Sequence, residues 1–333
     1  MRNAQWFLIF NYAFRIAHFA LNFKVLLSKC QFELTRTMRY NVKGGDDVLK
    51  KIFNLNDGRQ IQIGGKTLVV GILNFTPDSF SDGGKYYSVD AATAHVAQLI
   101  EYGADIIDVG AESTRPGAIP ISAEEEISRL EKVLPAVRVF GVPISIDTYK
   151  PEVAEYSLEV GADMINDVHG LEDSRMIDVV KKFNAPIIAM HNERCSDGDI
   201  IEDVKKFFRR TREHCTAKDF DTSKIIFDPG VGFGKTSAED LEIIRRLDEL
   251  KTLDGEEIIL TIGVSRKSFI GRLTGFKLDQ RDEATGALCV DAITKGVDLV
   301  RVHNVKLISR MCSMTDILYR RKARIWRRFP KSF

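Results

Sequence analysis

The chain of 333 residues lacks the features that mark the simplest protein classes. Its five cysteines are odd in number and scattered, at positions 30, 195, 215, 289 and 312, with no CxxC pair and no Cys/His cluster. That excludes a disulfide framework and a zinc site, and makes a reducing, cytoplasmic setting the expectation. No HExxH run and no ordered Ser/His/Asp set is present, so zincin and serine-hydrolase chemistries fall away. Long clean apolar runs are missing too. The N-terminal stretch WFLIFNYAFRIAHFALNFKVLL is interrupted by Arg15 and Lys24 and lacks a small-residue cleavage site, so neither a stable membrane association nor a secretory signal is expected.

Charge of one sign is also lacking, with a net of +1, but its distribution is uneven. Residues 1–40 carry six Lys/Arg against Glu33 alone, and residues 320–333 carry seven and no acid. An acidic body with basic ends is not a nucleic-acid-binding stripe, and the tail RRKARIWRRFPKSF reads as a terminus. The basic, acid-poor start leaves two readings: an organelle transit peptide, or Met38 as the start, with the residues before it extra to the folded chain. The second is preferred. The domain reading is therefore a basic, apolar extension over 1–40, a lead-in over 41–66, a folded body over 67–319 and a basic tail over 320–333.

What is present is a regular alternation. Eight short apolar runs occur, at 68–73, 106–109, 143–146, 164–165, 186–190, 225–227, 258–262 and 299–302. Each ends in a polar or Gly residue: Asn74, Gly110, Asp147, Asn166, His191, Asp228, Gly263 and His303. Amphipathic helical patterns separate them, one opened by Ser122 with Glu125 three residues on, a capping-box pattern. Others cover 91–102, 152–160, 176–183, 202–215, 240–250, 283–295 and 305–319. Eight β–α units in one body fit an α/β fold, a single closed (β/α)8 TIM-type barrel, better than an open doubly wound sheet. No sequence repeat beyond the βα alternation is apparent.

A barrel gathers all strand C-termini on one face, so the polar ends become one site. Arg115, Lys267, Arg301 and His303, with neighbouring Ser and Thr hydroxyls, suit a phosphate-rich anion. Asp147, Asn166 and Asp228 suit a flat ring that presents both donors and acceptors. The richest loop is VVGILNFTPDSFSDGG (69–84), where an apolar run stops at Asn74 and a polar, glycine-ended segment follows. PGVGFGKT (229–236) fails as a phosphate-binding loop, because Pro229 stands where the pattern needs its first glycine, and it is not GxGxxG either. Its glycines fit a backbone and a Phe233 ring lying against a flat ligand.

Taken together, GILNFTPDSFSDGG (71–84), AESTRPGA (111–118), SIDTYKPEVA (145–154), GADMINDVHG (161–170), IIAMH (187–191), FDPGVGFGK (227–235), GVSRKSFIG (263–271) and RVHNV (301–305) resemble the dihydropteroate synthases, pterin-binding barrel enzymes of folate biosynthesis. The resemblance implies condensation of 6-hydroxymethyl-7,8-dihydropterin diphosphate with p-aminobenzoate to 7,8-dihydropteroate and pyrophosphate, with Mg²⁺ as cofactor and a homodimer as the assembly. It implies that Asp147, Asn166, Asp228 and Lys267 hold the pterin, with Met190 and Phe233 packed on it and Arg301 beside it. It assigns Asn74 to the metal, and Asn74, Arg115, Arg301 and His303 to the pyrophosphate. Phe80, Thr114, Pro116, Lys267 and Ser268 would shape the p-aminobenzoate pocket as loops 75–86 and 111–121 close. The departures are Asn304 where an acid is usual, Ala111 where Gly is frequent, and a 192–200 segment without the usual Gly and Pro. They keep a non-catalytic pterin-binding paralogue as the alternative, ahead of a pterin-dependent methyltransferase.

Overall fold

Strands that are apolar on both faces belong inside a parallel sheet, and here the sheet closes on itself. The structure, a computed structural model, describes residues 51–55, 57–76, 88–113, 119–194 and 198–320. The lead-in contains a feature the sequence reading left as a connection, an antiparallel hairpin of β1 (Lys51–Asn54) and β2 (Gln60–Ile63). The barrel strands are β3 (Leu68–Asn74), β4 (Ile106–Gly110), β5 (Ile144–Asp147), β6 (Met164–Asp167), β7 (Ile187–Met190), β8 (Ile225–Asp228), β11 (Ile259–Ile262) and β12 (Leu299–Val302). They close in the order β11-β12-β3-β4-β5-β6-β7-β8, all parallel. The eight expected runs are these eight strands.

The surrounding helices are α1 (Val89–Glu101), α2 (Ala123–Arg138), α3 (Pro151–Glu159), α4 (Arg175–Lys182), α5 (Ile200–Ala217), α6 (Ser237–Arg245), α7 (Leu247–Leu250), α8 (Ser268–Thr274), α9 (Asp282–Thr294) and α10 (Val305–Tyr319). The single helix expected over 240–250 is broken at Arg246 into α6 and α7. A small hairpin, β9 (Thr252–Leu253) with β10 (Glu256–Glu257), and α8 were not expected. Ser122 caps α2 by accepting the Glu125 N–H, but the Glu125 carboxylate pairs with Arg129. The reciprocal capping box lies at Thr236 and Glu239, at the start of α6.

Side chains alternate along a strand, and this alternation layers the barrel interior. The lowest layer is apolar: Leu68, Val70, Ile106, Met164, Ile188, Ile226, Ile259 and Leu299 pack with Phe53, Leu55, Ile61 and Ile63 of the β1–β2 hairpin in one buried cluster. The hairpin thus seals the floor. Intervening positions such as Val69, Ile107, Val109, Ile146 and Ile165 face the helices in the larger core. One inward step higher the layer turns polar.

The floor also contains a short repeat. Gly103-Ala104-Asp105, Gly161-Ala162-Asp163 and Gly296-Val297-Asp298 precede β4, β6 and β12. Each glycine turns the chain with positive φ (103°, 99° and 93°). Each Asp then grips the neighbouring strand twice. Its N–H donates to the carbonyl of Val69, Ile144 or Leu260, and its carboxylate accepts the N–H of that same residue at 2.8–3.0 Å. A cation completes each one: Lys66 on Asp105, Arg59 on Asp163 and Lys251 on Asp298.

Candidate active site

Strand register places the polar ends side by side. Asn74 is opposite Gly110, Asp147 opposite Asn166, and Met190 opposite Asp228. Gly110 keeps this rim open: a Cβ there would lie 3.7 Å from both Asn74 Oδ1 and Asp147 Oδ2. Arg301, on β12, crosses the barrel to reach Asp108 (Nε to Oδ2, 2.6 Å) and Asp147 (Nη2 to Oδ2, 2.5 Å). Asn166 donates to Asp108 Oδ2 at 3.2 Å. Asp147, Asn166, Asp228 and Met190 are buried.

Asp108 was missed by a sequence reading fixed on strand ends. It sits inside the apolar run IIDVG, two residues above Ile106 and two below Gly110, and that alternation with a lone acid was the signal that marks it as inward-facing. It is fully buried. Among the described residues, Asp108 Oδ1 and Asp147 Oδ1 have no hydrogen-bond partner.

The opposite wall is built from β8 and the segment after β11. Asp228 Oδ1 accepts the Gly230 N–H at 2.7 Å. The Lys267 ammonium stands 3.7 Å from the centroid of the Phe233 ring, a cation–π contact. The Ser265 hydroxyl accepts the His303 backbone N–H at 3.1 Å and lies 2.9 Å from its Nδ1. If the serine donates to Nδ1, the imidazole proton sits on Nε2, a donor suited to an anion. Asn304, the departure from the usual acid, caps α10 by accepting the Leu307 N–H, and its amide donates to Asp282, which holds Arg266 bidentately. Ser268 opens α8 on the exposed side, where its hydroxyl accepts from Arg272. Phe80, Thr114, Arg115 and Pro116 lie outside the described residues, as do the extension 1–40 and most of the 320–333 tail. In the altered 192–200 segment, Asp199 caps α5 and pairs bidentately with Arg246.

Burial sets the ionisation of this mouth. It pushes Asp147 up to about 7 against the pull of Arg301, with Asp108 adding repulsion. Burial also raises Asp228, opposed by the Gly230 N–H and Lys267. It pushes Lys267 down to about 8, with Asp228 opposing. His191, behind this wall, is held neutral by burial, at about 3. On Arg301 burial works against the charge, but Asp108 and Asp147 outweigh it and raise its pKa.

The family model described as "Pterin binding enzyme" matches residues 70–303. A dihydropteroate synthase of Clostridium beijerinckii is 46% identical over 271 residues, 79% of this chain and 98% of the relative. The chain belongs to the dihydropteroate synthase family. Solved dihydropteroate synthases share its architecture. The Xanthomonas albilineans enzyme with 4-aminobenzoic acid superposes with a TM-score of 0.73 at 34% identity, covering 81% of this chain and 98% of that one. The dihydropteroate synthase of Anaplasma phagocytophilum, with bound 6-hydroxymethylpterin-monophosphate, gives 0.68 at 37% identity over 76% and 99%. The matched region of this dihydropteroate synthase family member spans every barrel strand except the first residues of β3.

Hard oxygen donors at the mouth fit Mg²⁺ only in one way. Among the described residues no cluster of three or more His, Cys, Asp or Glu side chains could cage a metal. The half-buried Asn74 amide oxygen, which like Asp147 Oδ2 lies 3.7 Å from where a Gly110 Cβ would stand, fits an ion that arrives with substrate phosphates and keeps most of its waters.

Proposed function

We propose that the barrel mouth condenses 6-hydroxymethyl-7,8-dihydropterin diphosphate with p-aminobenzoate, releasing pyrophosphate and leaving 7,8-dihydropteroate. One observation carries the reading: buried carboxylate oxygens of Asp108 and Asp147 that have no partner among the described residues, beside Asn166 and under Arg301. Unmatched buried acceptors are rare, and a pterin's amino and ring N–H groups are the donors that match them. In this reading Asp147, Asn166 and Asp228 bind the ring edge, Lys267 donates to its acceptor edge, and Met190 and Phe233 pack against its faces. The diphosphate lies toward Asn74, Arg115, Arg301 and His303. Phe80, Thr114, Pro116, Lys267 and Ser268 border the p-aminobenzoate.

The chemistry follows from the charge layout. Arg301 and the Nε2–H tautomer of His303 offset charge on the departing diphosphate. Mg²⁺ bound at Asn74 would supply Lewis-acid neutralisation of that same group. C–O cleavage leaves a methylene cation delocalised into the pterin, and the negative field of Asp147 and Asp228 stabilises it. The aromatic amine is neutral and a weak base, so it attacks without a strong general base. Closure of the neighbouring loops positions it and excludes water. Pairing of two copies through α10, whose Met314, Ile317, Leu318 and Tyr319 are exposed, completes the proposal.

A coupled assay for pyrophosphate, with both substrates and Mg²⁺, tests it. Release that depends on p-aminobenzoate is expected; pterin binding without release would favour the non-catalytic paralogue. Positional isotope exchange in the diphosphate, with p-aminobenzoate replaced by an inert analogue, is expected for the dissociative step. Its absence would point to amine attack before cleavage.

A further inference from the structure

The PGVGFGKT run, which fails as a phosphate loop, carries near its end a lysine, Lys235, that the reaction does not use. Lys235 turns back beneath its own loop, and its ammonium lies 3.0 Å from each of three backbone carbonyls, those of His191, Gly230 and Phe233. A lysine ammonium carries three donors and no acceptor, so it matches this cage. Carbonyl oxygens turned toward one point repel one another, and a cation between them removes that cost.

The caged loop carries two parts of the ring site. Gly230 directs its N–H at the Asp228 carboxylate, and Phe233 lies under the Lys267 ammonium. Gly230 has φ +69°, and a Cβ there would lie 1.9 Å from the His191 carbonyl oxygen, so the loop is pressed against the end of β7. From the other side the buried Asp240 carboxylate accepts the Gly232 N–H at 2.6 Å. The loop is therefore pinned by a cation on its carbonyls and an anion on an N–H.

We propose that Lys235 is a positioning residue for pterin recognition: caged by three carbonyls, it fixes loop 229–235 so that the Asp228 carboxylate and the Phe233 ring are set before the ligand arrives. The inference rests on the ring-binding reading above. Without the ammonium the carbonyls separate, and the Gly230 N–H and Phe233 drift from their places. A displacement of this kind costs up to about 10²-fold. The loss belongs to the pterin half of the reaction, because the loop that Lys235 holds carries Gly230 and Phe233, both on the ring side of the site.

The test compares wild type with Lys235→Met, Lys235→Gln and Lys235→Ala. Pterin diphosphate binding is measured by calorimetry, and kinetic constants for each substrate by pyrophosphate release. Expected are pterin binding weakened about 10- to 10²-fold, an unchanged KM for p-aminobenzoate, and recovery of pterin binding in Lys235→Ala when n-propylammonium is added but not when tetramethylammonium is. Lys235→Arg should not rescue, since a planar fork does not fit a three-carbonyl cage. Wild-type pterin affinity in Lys235→Met would overturn the proposal. So would equal losses for both substrates without amine rescue, or failure of all three variants to fold, either of which would make Lys235 merely structural. Wild-type protein that binds no pterin would instead sink the functional reading.

Discussion

The same residue type does opposite work at the two ends of these strands. At the floor, Asp105, Asp163 and Asp298 each accept a neighbouring strand's N–H and meet a cation. At the mouth, Asp108 and Asp147 share one guanidinium and, among the described residues, each keep an oxygen without a partner. A saturated carboxylate stitches structure together, whereas an under-saturated one keeps its capacity for a ligand, at a cost in stability. Function and fold are thus separated along the barrel axis by about two inward steps of a strand.

The sharpest way to break this comparison is at the mouth. Lys267→Ala is expected to cut turnover about 10³-fold with an undiminished melting temperature; wild-type rates would remove Lys267 from the site. Next is the floor. Phe53→Ala empties the hairpin's contact with the lowest layer and is expected to cost about 3–5 kcal/mol in chemical denaturation, with KM values unchanged in the folded protein. The two kinds of Asp are then compared directly. Asp298→Ala strands the Leu260 N–H and removes one partner of Lys251, and should cost about 2–3 kcal/mol while leaving turnover intact. Asp108→Asn should weaken pterin binding about tenfold without lowering stability. If both lowered stability alone, the division between the ends would be false.

The smallest effect is in pH. Burial holds Lys267 at about 8 in the folded protein against an ordinary 10.5. The unfolded chain therefore binds more protons between those values, and stability should rise with pH across that window. Pterin affinity should fall above pH about 8 as the ammonium is lost. Lys267→Met should abolish both slopes, which denaturation and binding titrations would detect.

Period and punctuation made the barrel legible. Runs such as 106–109 and 299–302, each ending in a polar or glycine residue, could hardly be anything but buried parallel strands, and their polar ends named Asp147, Asn166 and Asp228. Asp108 escaped because an acid within an apolar run looks like noise until the two-residue alternation is applied across the whole strand. The β1–β2 hairpin escaped because KIFN and QIQI are too short to show a period. Their role depends on contact with seven barrel strands, six of them distant in the chain. The Gly-x-Asp repeat was passed over in the sequence, because only pairing between neighbouring strands gives it meaning. Lys235 could not be read at all, since a cage of carbonyls is a property of backbone shape.

The plug formed by Phe53, Leu55, Ile61 and Ile63 also dictates traffic. With that end stoppered, everything that enters or leaves must use the same doorway, so arrivals and departures have to take turns. On the proposed reading, a ring lodged against the inner acids would have to wait for whatever is seated above it. On that reading pyrophosphate, nearer the exit, would depart first, and a hairpin on the far side of the molecule would set the order of events.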